Sequence, residues 1–444
     1  MLRPEHIHRI GPLLLLATVA WLSSAAISGA SAGPAAEFRK GIGIGAMAWA
    51  SIEPGPQREF TFPPFSLSDP SYALTFDELQ TLRRTGFDFV RLAVDPGPFL
   101  QFQGARRDAL DGILIDRVRL ILTAGLAVIV DFHPSDMHPD YTAQALTAGL
   151  NTPLYRSYLQ LIARTASLLA RLHSRKVALE FMNEPPVPTY VWQPMLEAAY
   201  AAARGQAAEL LLVLEGGGEG SPDALTALAV GPFANDPAVV FSFHYYEPYQ
   251  FTHQGASWNA ARYLADVPYP AFARPLEDSL QATAAAIAAT DLPPSRKASA
   301  YRDAQTRLQS YRWSQFGRRQ IATTFEQVAN WAQSQAIPDD RIMLGEFGAR
   351  KTKLQESGIR AAERAQWFHD VREQAQAHGF SWCVFAYRGG AFGLVRSETS
   401  NDIEPNIAEA LGLALRAHSK AAMPAILDPA TKAADWRPRP PPAR

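Results

Sequence analysis

Residues 177–186 read VALEFMNEPP, an apolar run that ends in an adjacent amide and carboxylate, Asn183 and Glu184, followed at once by two prolines. The apolar residues of such a run fall largely on consecutive positions, as they do in a parallel strand covered on both faces. The polar pair then emerges where the strand ends, and Pro185 and Pro186 stop it. A single run decides little, but its repetition decides the fold.

Seven more runs of this kind occur: GIGIGAMAWA (41–50), FDFVRLAV (87–94), GLAVIVDFH (125–133), ELLLVLEGG (209–217), AVVFSFHYY (238–246), RIMLGEFG (341–348) and FSWCVFAY (380–387). Ala/Leu/Arg-rich segments of helical spacing separate them, such as TFDELQTLRRTG, TPLYRSYLQLIARTASLLARLH and GIRAAERAQWFHDVREQAQAHG. Strands alternating with helices build parallel βαβ units. Eight of them predict an α/β protein, a (β/α)8 TIM barrel. A dinucleotide-binding open sheet fits less well, because GIGIGA is not completed to G-x-G-x-x-G and lacks the acidic partner about 20 residues on.

About ninety residues separate the sixth and seventh runs, including the aromatic stretch YEPYQFTHQGASWNAARY and Ala-rich helical segments near 276–290 and 318–335. That is an enlarged insertion, expected to add helices that wall one side of a site. Basic and acidic residues nearly cancel, 42 against 43, so no global field favours nucleic acid or an anionic membrane. The chain's start, with Arg3 and Arg9 before PLLLLATVAWL and then Ala30-Ser31-Ala32, reads as a signal peptide over 1–32, with an uncleaved anchor as the alternative. Residues 33–420 are then the barrel domain and 421–444 a Pro-rich tail. Periplasmic or secreted localisation follows, with no membrane span once the signal is removed. The only thiol, Cys383, lies inside an apolar run and is expected in the core.

Reacting groups of such a barrel sit where strands end at the C-terminal face. The runs end in Arg91, then Asp131 and His133, then Asn183 and Glu184, then His244 and Tyr246, then Glu346, with Trp382, Phe385 and Tyr387 on the eighth. So many polar groups converging on one face would be costly in a purely structural core. Carboxylates at the ends of the fourth and seventh strands face each other across a closed barrel and suit displacement at an acetal carbon. A gap of about 5–5.5 Å between them gives retention, and one of ~6.5–9.5 Å admits a water and gives inversion.

The succession FVRLAV, DFH, FMNEP, FHYY and LGEFG resembles the retaining glycoside hydrolases of family 5, in the cellulase-like clan, over about Gly41 to Leu394. The resemblance implies Glu184 as general acid/base, Glu346 as nucleophile, Asn183 as the ligand of the sugar 2-hydroxyl and Arg91 as support for the nucleophile. It implies His133, His244 and Tyr246 as the remaining polar shell. The family's eighth-strand tryptophan platform falls at Phe385 here, with Trp382 three residues earlier, and the usual first-strand Gly-Asn pair reads Gly43-Ile44-Gly45. Trp49, Trp192, Trp258 and Tyr249 are candidates for stacking on sugar faces.

These features imply a monomeric endo-β-1,4-glucanase acting on a β-linked polysaccharide or oligosaccharide, with no cofactor, no metal and no nucleic-acid partner. A β-mannanase, a β-1,3/1,6-glucanase and a non-catalytic polysaccharide-binding barrel stay open as alternatives. So does a metal-dependent hydrolase built on HPSDMHPD, through His133, Asp136, His138 and Asp140, although its spacing matches no standard zinc motif.

Overall fold

A computed structural model describes residues 33–56, 58–66, 74–355, 358–397 and 400–414. The leader expected at 1–32 and the tail expected at 421–444 lie outside the described residues. Strands β1 (Lys40–Met47), β2 (Phe89–Val94), β3 (Ala127–Phe132), β4 (Val177–Glu180), β5 (Leu211–Glu215), β6 (Val239–Tyr245), β7 (Ile342–Phe347) and β8 (Ser381–Val384) follow one another around a closed barrel. β8 pairs back onto β1 in parallel. All eight expected runs are strands, and the (β/α)8 class holds.

The barrel separates two cores, which explains the consecutive apolar pattern. Alternate residues such as Val90, Val130, Leu179, Phe243 and Leu344 pack outward against helix residues such as Ile162, Phe325 and Trp367. Their neighbours Phe89, Ile129, Ala178, Val213, Val240 and Met343 fill the barrel, whose lower end is closed by Ala35 and Phe38. Cys383 belongs to this inner group and is 1% exposed, a core thiol as expected. The glycines of GIGIG face inward between Ile42 and Ile44: a Cβ on Gly41 would stand 2.2 Å from the Phe89 ring, and one on Gly43 3.2 Å from Phe385. Those glycines make room for rings inside the barrel rather than cradling a phosphate.

Local signals set the helix ends. Thr75 and Glu78 form a capping box at the start of the helix Phe76–Thr85, which stops at Gly86 with φ 112°, as glycine permits. The insertion after β6 carries helices Tyr249–Thr252, Leu276–Ala288, Pro294–Ser314 and Arg318–Ser334. The third was not legible in the sequence: it buries only Ala304, Leu308 and Tyr311, so its apolar stripe is thin. Arg274 ties the insertion to the helix Gly358–Ala377 by donating to Glu363 at 2.8 Å and to Asp266 at 2.8 Å, and Arg360 of that helix reaches Asp266 at 2.6 Å.

Candidate active site

The β4 ladder ends at Glu180, earlier than the apolar run suggests. The chain keeps alongside β3 as far as Asn183, whose N–H donates to Phe132 O at 2.8 Å. It then turns sharply, with Glu184 at φ 47°, a left-handed conformation that non-glycine residues seldom adopt. The turn lifts the Glu184 side chain into the mouth, where it is 34% exposed.

Beneath the mouth, Arg91 is the hub. Its guanidinium, 2% exposed, donates from Nε to Glu180 Oε2 at 2.7 Å and from Nη2 to Glu180 Oε1 at 2.9 Å and to Asn183 Oδ1 at 3.0 Å. Nη2 also lies 3.1 Å from Asp131 Oδ2, and Nη1 donates directly to Glu346 Oε1. Asp131 in turn holds His133 Nδ1 at 2.9 Å. The planar fork of arginine suits this shared role, since one group can satisfy several carboxylates at fixed angles.

The two candidate catalytic carboxylates sit in opposite fields. For Glu346, burial alone would raise the pKa, but the charges of His244, Arg91 and His133 and the Tyr246 hydroxyl, 2.8 Å from Oε2, outweigh it and hold the group well below the usual carboxylate range. For Glu184 burial wins: its pKa is raised, against the hydrogen bond and charge of His244 and with the charges of Glu346 and Glu215 adding to the rise. An oxygen of Glu184, an oxygen of Glu346 and a nitrogen of His244 all lie within 4.8 Å of one another. Two carboxyls pushed apart in pKa across so short a gap can serve one as acid and the other as nucleophile.

The residues expected from the sequence mostly converge. Arg91, Asn183, Glu184, His244, Tyr246 and Glu346 form one contact network, with His133 joined through Asp131. Two buried carboxylates of the network, Glu180 and Glu215, carry no signal in the sequence, each a lone charge inside an apolar run. Glu215 accepts the Glu184 backbone N–H at 2.7 Å and stands 2.7 Å from His244 Nε2, off the ring N–H axis, so that contact is an ion pair rather than an aligned hydrogen bond.

The aromatic expectations divide. Phe385 is half-buried at the end of β8, its ring 6.0 Å from that of Phe392. Trp382 is a correction: 1% exposed, it packs edge-on against Phe87 and Phe347 on the helix side of β8, because strand parity turns it away from Cys383 and Phe385. Trp192 is likewise 1% exposed, its Nε1–H donating to Glu215 O. Trp49, Tyr249 and Trp258 are exposed, and Trp49 sets its edge towards His133 at 6.5 Å.

Among the described residues, His133, Asp136, His138 and Asp140 of the HPSDMHPD loop join no cluster of three candidate ligands. His138 Nδ1 accepts the Asp140 N–H, and its ring packs on Phe60 and Tyr141. Among the described residues, the clusters of candidate ligands are Glu180–Glu215–His244, Glu184–His244–Glu346 and His369–Asp370–Glu373, none of which draws on that loop.

A closed parallel barrel with paired carboxylates across its C-terminal mouth is the architecture of the barrel glycoside hydrolases. The chain belongs to the cellulase family, glycosyl hydrolase family 5, whose model matches residues 57–390. It is 21% identical over 343 residues to Endoglucanase 3 of Fibrobacter succinogenes, covering 72% of this chain and 47% of that one. It is 28% identical over 204 residues to Endoglucanase C of Acetivibrio thermocellus, covering 44% and 58%. The chain thus spans about half the length of these curated relatives. Among solved structures, cellulose synthase subunit Z of Clostridioides difficile matches with a TM-score of 0.60 at 19% identity, over 84% of this chain and 99% of that one. Cel5A of Thermotoga maritima in complex with cellobiose matches at 0.58 and 18%, over 85% and 98%. Both show the shared fold.

Proposed function

We propose that this protein is an exported, monomeric, retaining β-glycanase that cuts β-1,4-glucosidic bonds within a polysaccharide. The observation that carries the reading is the pair Glu184 and Glu346, one oxygen of each within 4.8 Å of the other, an approach that favours the close carboxyl spacing of retaining enzymes over the roughly 6.5–9.5 Å that an intervening water requires.

Glu346, ionised by its cationic surroundings, attacks the anomeric carbon while Glu184 gives its proton to the departing glycosidic oxygen. The C–O bond breaks and an ester to Glu346 forms. Once that ester has consumed the Glu346 charge, Glu184 is the weaker acid no longer and works as a base. It takes a proton from water as the water oxygen attacks the same carbon from the opposite face, and the ester breaks. Asn183, with Oδ1 committed to Arg91, keeps its amide N–H groups for the sugar 2-hydroxyl. Tyr246 and Arg91 fix the two oxygens of Glu346.

The polymer substrate and the internal cut are supported by the names of the matched relatives, both endoglucanases, and by the exposed rings of Trp49, Tyr249 and Trp258. Export rests on the basic and apolar leader at 1–32. Thermotoga maritima Cel5A is described both with cellobiose and with mannotriose, so mannan is the competing substrate.

The test is hydrolysis of a panel of β-1,4-, β-1,3- and β-1,6-glucans and mannans with product lengths recorded, for the parent chain and for Glu184→Gln and Glu346→Gln. Short β-1,4-gluco-oligosaccharides from the parent and none from either variant are expected. Normal turnover in either variant, or no hydrolysis by the parent, would overturn the reading.

A further inference from the structure

We propose that Glu215, at the end of β5, is a positioning residue that holds Glu184 in its working conformation and, through His244, governs when Glu184 can act as a base. The inference rests on the function proposed above.

Glu215 reaches Glu184 by two routes. Its Oε2 accepts the Glu184 backbone N–H at 2.7 Å, at the residue whose φ is 47°. Its Oε1 lies 2.7 Å from His244 Nε2, and His244 Nδ1 lies 2.9 Å from Glu184 Oε1. One imidazole therefore stands between two carboxylates.

The loop after β5 is built around this carboxylate. Gly220 has φ +64°, and a Cβ there would come within 2.5 Å of Glu215 Oε1. The Gly220 carbonyl accepts the His244 backbone N–H at 2.8 Å, so the same residue seats both partners. Gly218 and Glu219 donate to Val187 O and Pro185 O, fixing this loop against the one that carries Glu184.

Charge gives Glu215 a role beyond packing. It is 2% exposed, and the cationic side chain in contact with it is His244. Glu346 Oε2 also faces His244 Nδ1 at 3.8 Å, and Glu180 closes the lower side. Tyr246 and Tyr249 add no charge, while Arg91, Asp131 and His133 complete the surrounding shell through Glu180 and Glu346. An imidazole among so many carboxylates keeps both ring protons. Its Nδ1–H then stabilises the Glu184 carboxylate left after the leaving group departs. With a neutral side chain in place of Glu215, His244 gives up its Nε2 proton more readily and Glu184 loses the positive charge beside it. The Glu184 carboxyl then holds its own proton more tightly and stays protonated to higher pH, which slows the half-reaction that needs its carboxylate to take a proton from water.

The experiment uses the full chain and dinitrophenyl β-cellobioside, whose leaving group needs little acid help, so that kcat reads the breakdown of the glycosyl ester. For Glu215→Gln, kcat is expected to fall about tenfold or more, since general-base assistance is worth ~10²–10⁴ in rate. The acidic limb of kcat should move to higher pH. Azide, a nucleophile that needs no base, should restore turnover and yield a glycosyl azide, and Glu215→Asp should recover the parental pH profile. An unchanged kcat, or a fall that azide leaves in place with the profile unmoved, would overturn the proposal. Should the variant not fold, the ¹⁵N shifts of His244 in the parent decide it: both ring nitrogens protonated across the active pH range are expected, and a neutral imidazole there refutes the role. Failure of the parent to cleave the glycoside would instead count against the function itself, which the ¹⁵N measurement does not depend on.

Discussion

Arg91 on β2 donates through Nη1 to Glu346 on β7, joining residues 255 apart in the chain inside a site where neither is more than 5% exposed. The contact serves both charge and position, because the same guanidinium is anchored to Glu180 by two further bonds. Arg91→Lys keeps the charge but not the fork, and its kcat/KM is expected to drop at least a hundredfold with the acidic limb raised. Arg91→Ala leaves buried carboxylates unpartnered and should destabilise the fold by about 3–5 kcal/mol, read as a fall in the denaturation midpoint.

Tyr246 bonds the other oxygen of Glu346 at 2.8 Å. Burial first, and then the charges of Glu346 and Glu184, push its phenol well above the ordinary range, so it stays a donor through the working pH. Tyr246→Phe should lower kcat by roughly tenfold to a hundredfold, the scale of one hydrogen bond to a charged group, with little change in melting temperature.

Exposure separates aromatic side chains that can meet substrate from those that cannot. Trp49 and Trp258 are 45% and 65% exposed, and alanine at either should raise KM for long β-glucans more than for short aryl glycosides. Trp382, at 1%, should behave oppositely. Its replacement by alanine is expected to cost about 3–5 kcal/mol of stability with no preference between long and short substrates.

Asp95, just past β2, carries a separate pH signature. Burial raises its pKa to about 7, against hydrogen bonds from Ser135 Oγ and the Gly97 N–H and the charge of His133. The folded state thus binds this proton from the ordinary carboxylate value of 3.8 up to about 7, where the unfolded chain has released it. Stability contributed by this group therefore falls as pH rises across that window. Asp95→Asn should flatten the decline in melting temperature between about pH 4 and pH 7, which calorimetry across that range checks.

The strands were legible because a parallel barrel strand meets the interior on one face and helices on the other, so both parities of a run such as AVIVDF are apolar. The ends were less so. Periodicity carried β4 to Glu184, whereas pairing stops at Glu180 and the left-handed turn at Glu184 leaves no hydrophobic trace. Glu180 and Glu215 are not legible as site residues because a single carboxylate in an apolar run has the composition of a core strand. Their meaning appears only with Arg91 and His244, brought in from other strands. Trp382 shows the reverse error: an aromatic near a strand end invites a substrate role, yet alternation from Phe385 already places it on the outer face.

Double displacement by Glu184 and Glu346 is tested most directly by the anomeric configuration of the first product. Proton NMR of cellotetraose hydrolysis, recorded before mutarotation, should show the β-anomer appearing first, as expected of retention by two carboxylates with facing oxygens within 4.8 Å. An initial α-anomer would mean inversion, and would contradict the assignment of Glu346 as nucleophile.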